Sequence, residues 1–288
     1  MSSDHSAPPR SPSFHLNAIT SETQQGTAVS EDDPMAVLIR VLDLQAALPG
    51  IRRMRRWGHR ALDTAPGERA LDVGSGTGSE VLEFARRVGD RGEAVGVDPN
   101  PAMLAAARER AAAAGVEARF VEGDAYRLPF EDDSFDVVRC ERVYQHLDDP
   151  TAATAEIARV LRPGGRALLV DTDWQTAILH PGDPAVVARM TAAMLDTTPN
   201  ATAGRSLRGL LVAAGFDIDD MGSEAVIWDP VTVRPMFDQL GRRALANGVI
   251  TQQERDDLTA AIDAGIAIGD YLLSVTMFAV LAHLPPRR

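Results

Sequence analysis

The sequence predicts an α/β protein, a doubly wound and mostly parallel sheet covered by helices on both faces and carrying helical lid elements. Three observations predict it. Short apolar runs alternate with helical repeats between residues 69 and 173, and apolar strands joined by helices form parallel sheets buried on both sides. The first run breaks into a glycine-rich turn that opens a helix, "RALDVGSGTGSEV". The second, "EAVGVD", ends on an acidic residue, Asp98. Right-handed crossovers then bring the strand ends to one rim, where open sheets bind ligands.

In chain order, residues 1–30 are rich in Ser, Pro, Thr and Gln and poor in large apolar groups. They bury too little surface to offset ordering entropy, so a flexible tail is expected. "DPMAVLIRVLDLQAAL" then sets Met35, Leu38, Ile39 and Leu42 at helical spacing. "PG" at 49–50 breaks that helix and "IRRMRRWGHRALDTA" forms a second, giving an N-terminal helical cap over 31–65. The core over 66–173 follows as strand "RALDVG", helix "SEVLEFARRVG", strand "EAVGVD" and helix "PAMLAAARERAAAAG", ended by its glycine. Strands "EARFVEGD" and "FDVVRC" come next, then helix "TAATAEIARVLRPGG" and the fifth strand "RALLVDTD". "HPGDPAVVARMTAAMLD" reads as a helix within an insertion over the rim, 174–204. Residues 205–288 supply helix "GRSLRGLLVAAG", strand "FDIDDMGSEAVIW", helices "VRPMFDQLGRRALANG" and "TQQERDDLTAAIDAGI", and a closing strand "YLLSVTMFAVLAHL".

Composition narrows the class. The 288 residues are 45% hydrophobic, enough for a sizeable core. The net charge is −12 and every basic residue is Arg; a field of that sign disfavours a nucleic-acid partner. Cys140 is the single cysteine, which rules out an intramolecular disulfide. No apolar run reaches the ~18 residues of a membrane span, and no signal peptide is read. The expectation is a cytoplasmic protein, monomer or homodimer, without a membrane partner.

Gly74, Gly76 and Gly78 follow a strand and precede a helix, the context of a nucleotide site. A dinucleotide turn has the spacing G-x-G-x-x-G; here it is G-x-G-x-G, with Ser79 at the position of the third glycine. Asp72 precedes the loop and Glu80 follows it, with no Arg between them. Pyrophosphate would meet repulsion from both carboxylates. S-adenosylmethionine, with an ammonium and a sulfonium beside its ribose and adenine, suits that charge pattern. Asp98 stands where an acidic residue takes ribose hydroxyls. "EGDAYRLPF" sets Asp124 to accept the adenine amino group and Ala125 to offer a backbone N–H.

These stretches, with "VGVDPNPAML", "EDDSFDVV", "ERVYQHLDDP" and "ARVLRPGGRALLVDTDW", resemble class I S-adenosylmethionine-dependent methyltransferases, in the ubiquinone-biosynthesis-like group of small-molecule enzymes. The match is best over 60–230. It implies a Rossmann-like sheet of about seven strands with an antiparallel last strand. It implies that Asp72 serves the methionine end and that the backbone of Gly74, Ser75, Gly76, Thr77 and Gly78 lies against the cofactor. Asp98 would take the ribose, Pro99 and Met103 would flank the adenosine, and Gly123, Asp124 and Ala125 would hold the adenine. The segment Cys140, Glu141 and Arg142 would follow the fourth strand beside the methionine. Ser75 stands where Cys or Ala is common.

Methyl transfer mainly requires alignment and exclusion of water. A base is needed only where the acceptor must lose a proton, and His146 and Tyr144 are the candidates. Trp174 and His180 are candidate acceptor-pocket residues, and Trp57, Trp228, Met190, Met194, Met236 and Phe237 are further apolar candidates for its wall. "RRMRR" at 52–56 reads mostly as a solvated helix face. Arg142 is better placed for the cofactor carboxylate. The carboxylate pairs Asp132-Asp133 and Asp148-Asp149 do not make a metal site, and no metal is expected. Expected function is methyl transfer from S-adenosylmethionine to a small apolar metabolite, giving S-adenosylhomocysteine. The alternatives are a protein on this fold that holds the cofactor and steers a non-methylating reaction, and an NAD-dependent oxidoreductase.

Overall fold

The computed structural model describes residues 34–286; the predicted tail, 1–30, lies outside them. Helices α1 (Pro34–Ala47) and α2 (Pro49–Leu62) precede the sheet. Pro49, read as a breaker, begins α2 instead. Its missing N–H falls where a helix start leaves an N–H unpaired in any case. The core runs β1 (Arg69–Val73), α3 (Ser79–Val88), β2 (Glu93–Asp98), α4 (Pro101–Ala114), β3 (Arg119–Glu122), β4 (Phe135–Glu141), α5 (Pro150–Val160) and β5 (Leu161–His180). Then come α6 (Pro184–Thr197), α7 (Ala203–Ala213), β6 (Asp217–Trp228), α8 (Pro230–Ala246), α9 (Gln252–Ile268) and β7 (Leu272–His283).

Four helices start on the same local chemistry. Asn100, Asp149, Asp183 and Asp229 each precede a proline, and each accepts first-turn N–H groups of the helix it opens. The sheet order is β3-β2-β1-β4-β5-β7-β6. Pairs among β1 to β5 are parallel, and β7 is antiparallel to both neighbours. The expected fold is therefore present, including the antiparallel last strand. Strand order reverses between β1 and β4, which places the ligand crevice at their ends.

The fifth strand differs from the reading. The helix before it stops at Val160, and β5 starts at Leu161, paired with Phe135 of β4. It also continues beyond Asp173. After a break in register, Ile178 pairs with Ser274 of β7, so residues 174–180 extend the sheet and the insertion's helix starts at Pro184. Apolar clusters cover the two faces of the sheet, one around Phe84 and Leu104, the other around Ile157 and Leu207. A third, around Met190, Ile250 and Ile262, holds α6, α8 and α9 together beside the rim.

Candidate active site

β1 delivers the chain into the glycine loop, and β2 pins it: Gly74 and Ser75 both donate N–H bonds to the Val97 carbonyl, at 2.8 and 3.0 Å. Gly74, Gly76 and Gly78 all have positive φ, +71°, +51° and +81°. Their surroundings separate their roles. A Cβ on Gly74 would lie 2.2 Å from Val143 Cγ2, and one on Gly78 would lie under 3 Å from Phe120 and Ala107. These two glycines allow close packing. A Cβ on Gly76 would meet nothing within 4 Å, because Gly76 faces the cavity. The Gly76 N–H donates to Asp98 Oδ2 at 2.8 Å, and the Asn100 N–H to Oδ1 at 2.9 Å. Burial raises the Asp98 carboxyl above its ordinary value against these two bonds.

The loop opens on a cavity of about 350 Å³. Gly74 to Thr77, Asp98 and Met103 form one side; Trp174, Trp228, Met236 and Met277 line another part; Leu38, Leu42 and Gln45 of α1 also line it. A smaller cavity of about 40 Å³, with Pro99, Gly123, Asp124 and Ala125 in its wall, shares Gly74, Val143 and His146 with the first. Helix α1 is tied down at two points. Arg110 binds Asp43 through both carboxylate oxygens and Thr77 of the loop, each at 2.8 Å. Arg142 Nη1 donates to Gln45 Oε1 at 2.5 Å. Arg142 holds φ +58°, unusual for a side-chain-bearing residue.

Behind the loop lies a buried network of charges. Arg139 meets Asp72 and Glu80, each at 3.2 Å, and also Glu141. Arg55 of α2 meets Glu141 at 2.7 Å and Glu80 at 3.0 Å, and His59 Nε2 lies 2.8 Å from Glu80. Burial pushes Asp72 up to about 7, with Arg139 opposing and the nearby glutamates adding to the rise. Arg139 and Arg55 overcome burial at Glu80, held at about 2. The same pair holds Glu141 well below its ordinary value. One arginine shared among three carboxylates explains why Asp72 keeps a high pKa despite its ion pair.

The described geometry is matched by kinship. A methyltransferase-domain family model matches residues 71–169. The chain is 32% identical over 263 residues to a 37.1 kDa protein of a Streptomyces fradiae transposon, covering 86% of this chain and 72% of that one. It is 42% identical over 119 residues to a demethylmenaquinone methyltransferase of Thermus thermophilus, covering 40% of this chain and 54% of that one. The chain belongs to the class I S-adenosylmethionine-dependent methyltransferases. Among solved structures, a methyltransferase of Aquifex aeolicus superposes with TM-score 0.53 at 16% identity, covering 88% of this chain and all of that one. The [4+2]-cyclase SpnF superposes with TM-score 0.53 at 22% identity, covering 82% and 81%. Both likenesses concern the fold. The chain spans about half the length of the Thermus methyltransferase.

The residues lining the cavity fit the family's cofactor. Gly76 leaves open space beside it and Asp98 borders that space, while Asp72, Glu80 and Glu141 line the adjoining wall together with Arg55, Arg139 and Arg142, so the carboxylates there are paired and the wall is not the acidic surface the sequence suggested. Among the described residues no cluster of metal-ligating side chains occurs, and no helix is long and apolar enough to cross a membrane.

Asp72, Gly74, Ser75, Gly76, Thr77, Asp98, Met103, Glu141, Arg142, His146 and Trp174 come together around the main cavity, and Pro99, Gly123, Asp124 and Ala125 around the smaller one. Asp124 Oδ1 also accepts the Tyr126 and Arg127 N–H groups, at 2.8 and 3.0 Å, which shapes its loop. Four expectations need correction. Tyr144 sits in a short 3-10 turn that sends its ring into the core, with its hydroxyl 2.9 Å from Thr154 Oγ1. Its place is structural. Cys140 is fully buried on β4 and lines neither cavity. Gly78 packs against α4 and β3 and stays out of the cavity wall. His180 is exposed on the far end of β5, 3.1 Å from Asp270. Of the apolar candidates, Trp228 and Met236 line the main cavity, while Met190, Met194 and Phe237 line an adjoining one behind Trp174 and Trp228. Trp57 packs on Gly222 instead.

Sequence reasoning missed Arg55, Arg139 and Gln145. The signal for Arg55 was the helical period: within "RRMRR" it falls near the buried Ile51 and Met54 face, while Arg52, Arg53 and Arg56 point outward. Arg139 is a buried charge between the apolar Val138 and Cys140 of β4. Gln145 Oε1 accepts the Trp174 indole N–H at 2.7 Å and fixes that ring at the cavity.

Proposed function

We propose that the protein transfers the methyl group of S-adenosylmethionine to a small, apolar acceptor and yields S-adenosylhomocysteine. One observation carries the reading: a single cavity is lined both by the glycine loop with Asp98 and by Trp174, Trp228, Met236 and Met277. A ligand against the loop and one against the tryptophans would share that space. The cofactor, when bound, supplies an activated methyl on sulfur with a neutral leaving group. The chain's own contribution is to position and to exclude water. The Gly76 backbone and Asp98 hold the ribose end, and Asp72 faces the ammonium end. Trp174, fixed by Gln145, orients the acceptor ring or chain. His146, in the wall of both cavities, takes a proton from an acceptor hydroxyl or amine.

Methyl-labelled S-adenosylmethionine tests this with an acceptor panel beginning with demethylmenaquinone, the compound named for the Thermus relative. The expected result is label in one acceptor class with stoichiometric S-adenosylhomocysteine. Because SpnF is a cyclase with this fold, the fold alone does not assign methyl transfer. Firm cofactor binding with label retained throughout, together with acceptor conversion, favours the non-methylating reading.

A further inference from the structure

Outside the cofactor cavity, a groove of about 510 Å³ runs between α2 and α3. Its wall holds six arginines, Arg52, Arg55, Arg56, Arg60, Arg86 and Arg87, against two glutamates, Glu80 and Glu83, in a chain whose net charge is −12. Arg55 is spent on Glu141 and Glu80, and Arg86 and Arg87 reach Glu83. Arg52, Arg56 and Arg60 are exposed. Among the described residues they make no side-chain hydrogen bond or ion pair. They recur every fourth residue, so they stand in one row with about 6 Å of axial rise between neighbours. Like charges at this spacing destabilise an isolated helix. His59 lines the groove floor: its Nε2 is held by Glu80, and its buried Nδ1 has no hydrogen-bond partner.

We propose that this groove is an anion site for a phosphate-bearing ligand, gripped by Arg52, Arg56 and Arg60 against the facing α3 wall. Guanidinium groups match phosphate oxygens two at a time. A row of three suits a ligand with more than one negative charge. A groove walled mainly by positive charge concentrates the field inside it, which lets an acidic protein attract an anion locally. Ala46, Arg55, Ser79 and Glu80 line both this groove and the cofactor cavity, so the two lie back to back. The site does not depend on the methyl-transfer reading.

The test uses the full chain and the variant R52Q/R56Q/R60Q. All three positions are exposed and outside the cofactor site, so the variant should unfold at the same or a slightly higher temperature, with the like-charge row removed, and S-adenosylhomocysteine affinity should be unchanged. Calorimetric titration with inorganic pyrophosphate and co-sedimentation with phosphatidylglycerol vesicles, against phosphatidylcholine vesicles, distinguish a soluble ligand from a lipid headgroup. The expected result is binding to one of them, weakened at least tenfold in the variant and weakened by added salt. Binding to neither, or equal binding by wild type and variant, overturns the proposal.

Discussion

Arg139 Nη1 lies 3.2 Å from Asp72 Oδ1, and both side chains are buried beneath the glycine loop. The pair is not a simple salt bridge, because Arg139 also serves Glu80 and Glu141. Burial therefore dominates and raises Asp72 from 3.8 to about 7. Asp171, also fully buried, is raised to about 7 by the same cause. Between these two values the folded protein keeps protons that the unfolded chain releases, so stability falls as pH rises through that window. Asp72→Asn should flatten that fall by a few kcal/mol, roughly the scale of a shift of this size, while Asp171 maintains the remainder. Urea denaturation at pH 5 and pH 8 reads it. Glu80, lowered from 4.5 to about 2, contributes stability that is lost as pH falls from its unfolded value towards that one, below the interval that pH 5 and pH 8 compare.

The cap is latched to the loop. Arg110 joins Asp43 of α1 to Thr77. Asp43→Ala should speed amide exchange across residues 34–47 and leave β1 and β4 unchanged. S-adenosylhomocysteine should slow exchange in the same helix of the wild type. Equal exchange in 34–47 with and without the ligand would show that the cap takes no part in binding.

Tyr144 and His146 are neighbours with different destinations. Tyr144→Phe removes a buried hydrogen bond to Thr154 and should cost about 1 kcal/mol of stability with transfer activity intact. His146→Ala should lower the transfer rate by about 10²–10⁴-fold if it is the proton acceptor, with cofactor affinity nearly unchanged. A loss below tenfold with an unaltered pH profile would assign His146 to packing and leave catalysis to alignment.

The backbone plan was legible because it is written in local chemistry. Glycines at positive φ, Asn-Pro and Asp-Pro helix starts, and apolar strands ending in Asp72-Val73 and Asp98 all declare themselves in short stretches. What was not legible depends on rotation and on partners far along the chain. A run of arginines does not reveal that Arg55 turns inward to Glu141, 86 residues away. The position of Tyr144 after a strand predicted the rim, yet a single 3-10 turn aimed it at the core. The extension of β5 to His180 depends on β7, nearly 100 residues later.

Whether the cavity beside Gly76 holds the cofactor is decided most directly by titrating S-adenosylhomocysteine into wild type, Gly76→Val and Asp98→Ala, with folding verified by circular dichroism. Saturable binding to wild type is expected, with a loss of about 1–3 kcal/mol in Asp98→Ala through the missing hydrogen bonds to ribose, and no binding to folded Gly76→Val. Undiminished binding by Gly76→Val would contradict that placement of the cofactor, because the side chain would then occupy space that the ligand does not use.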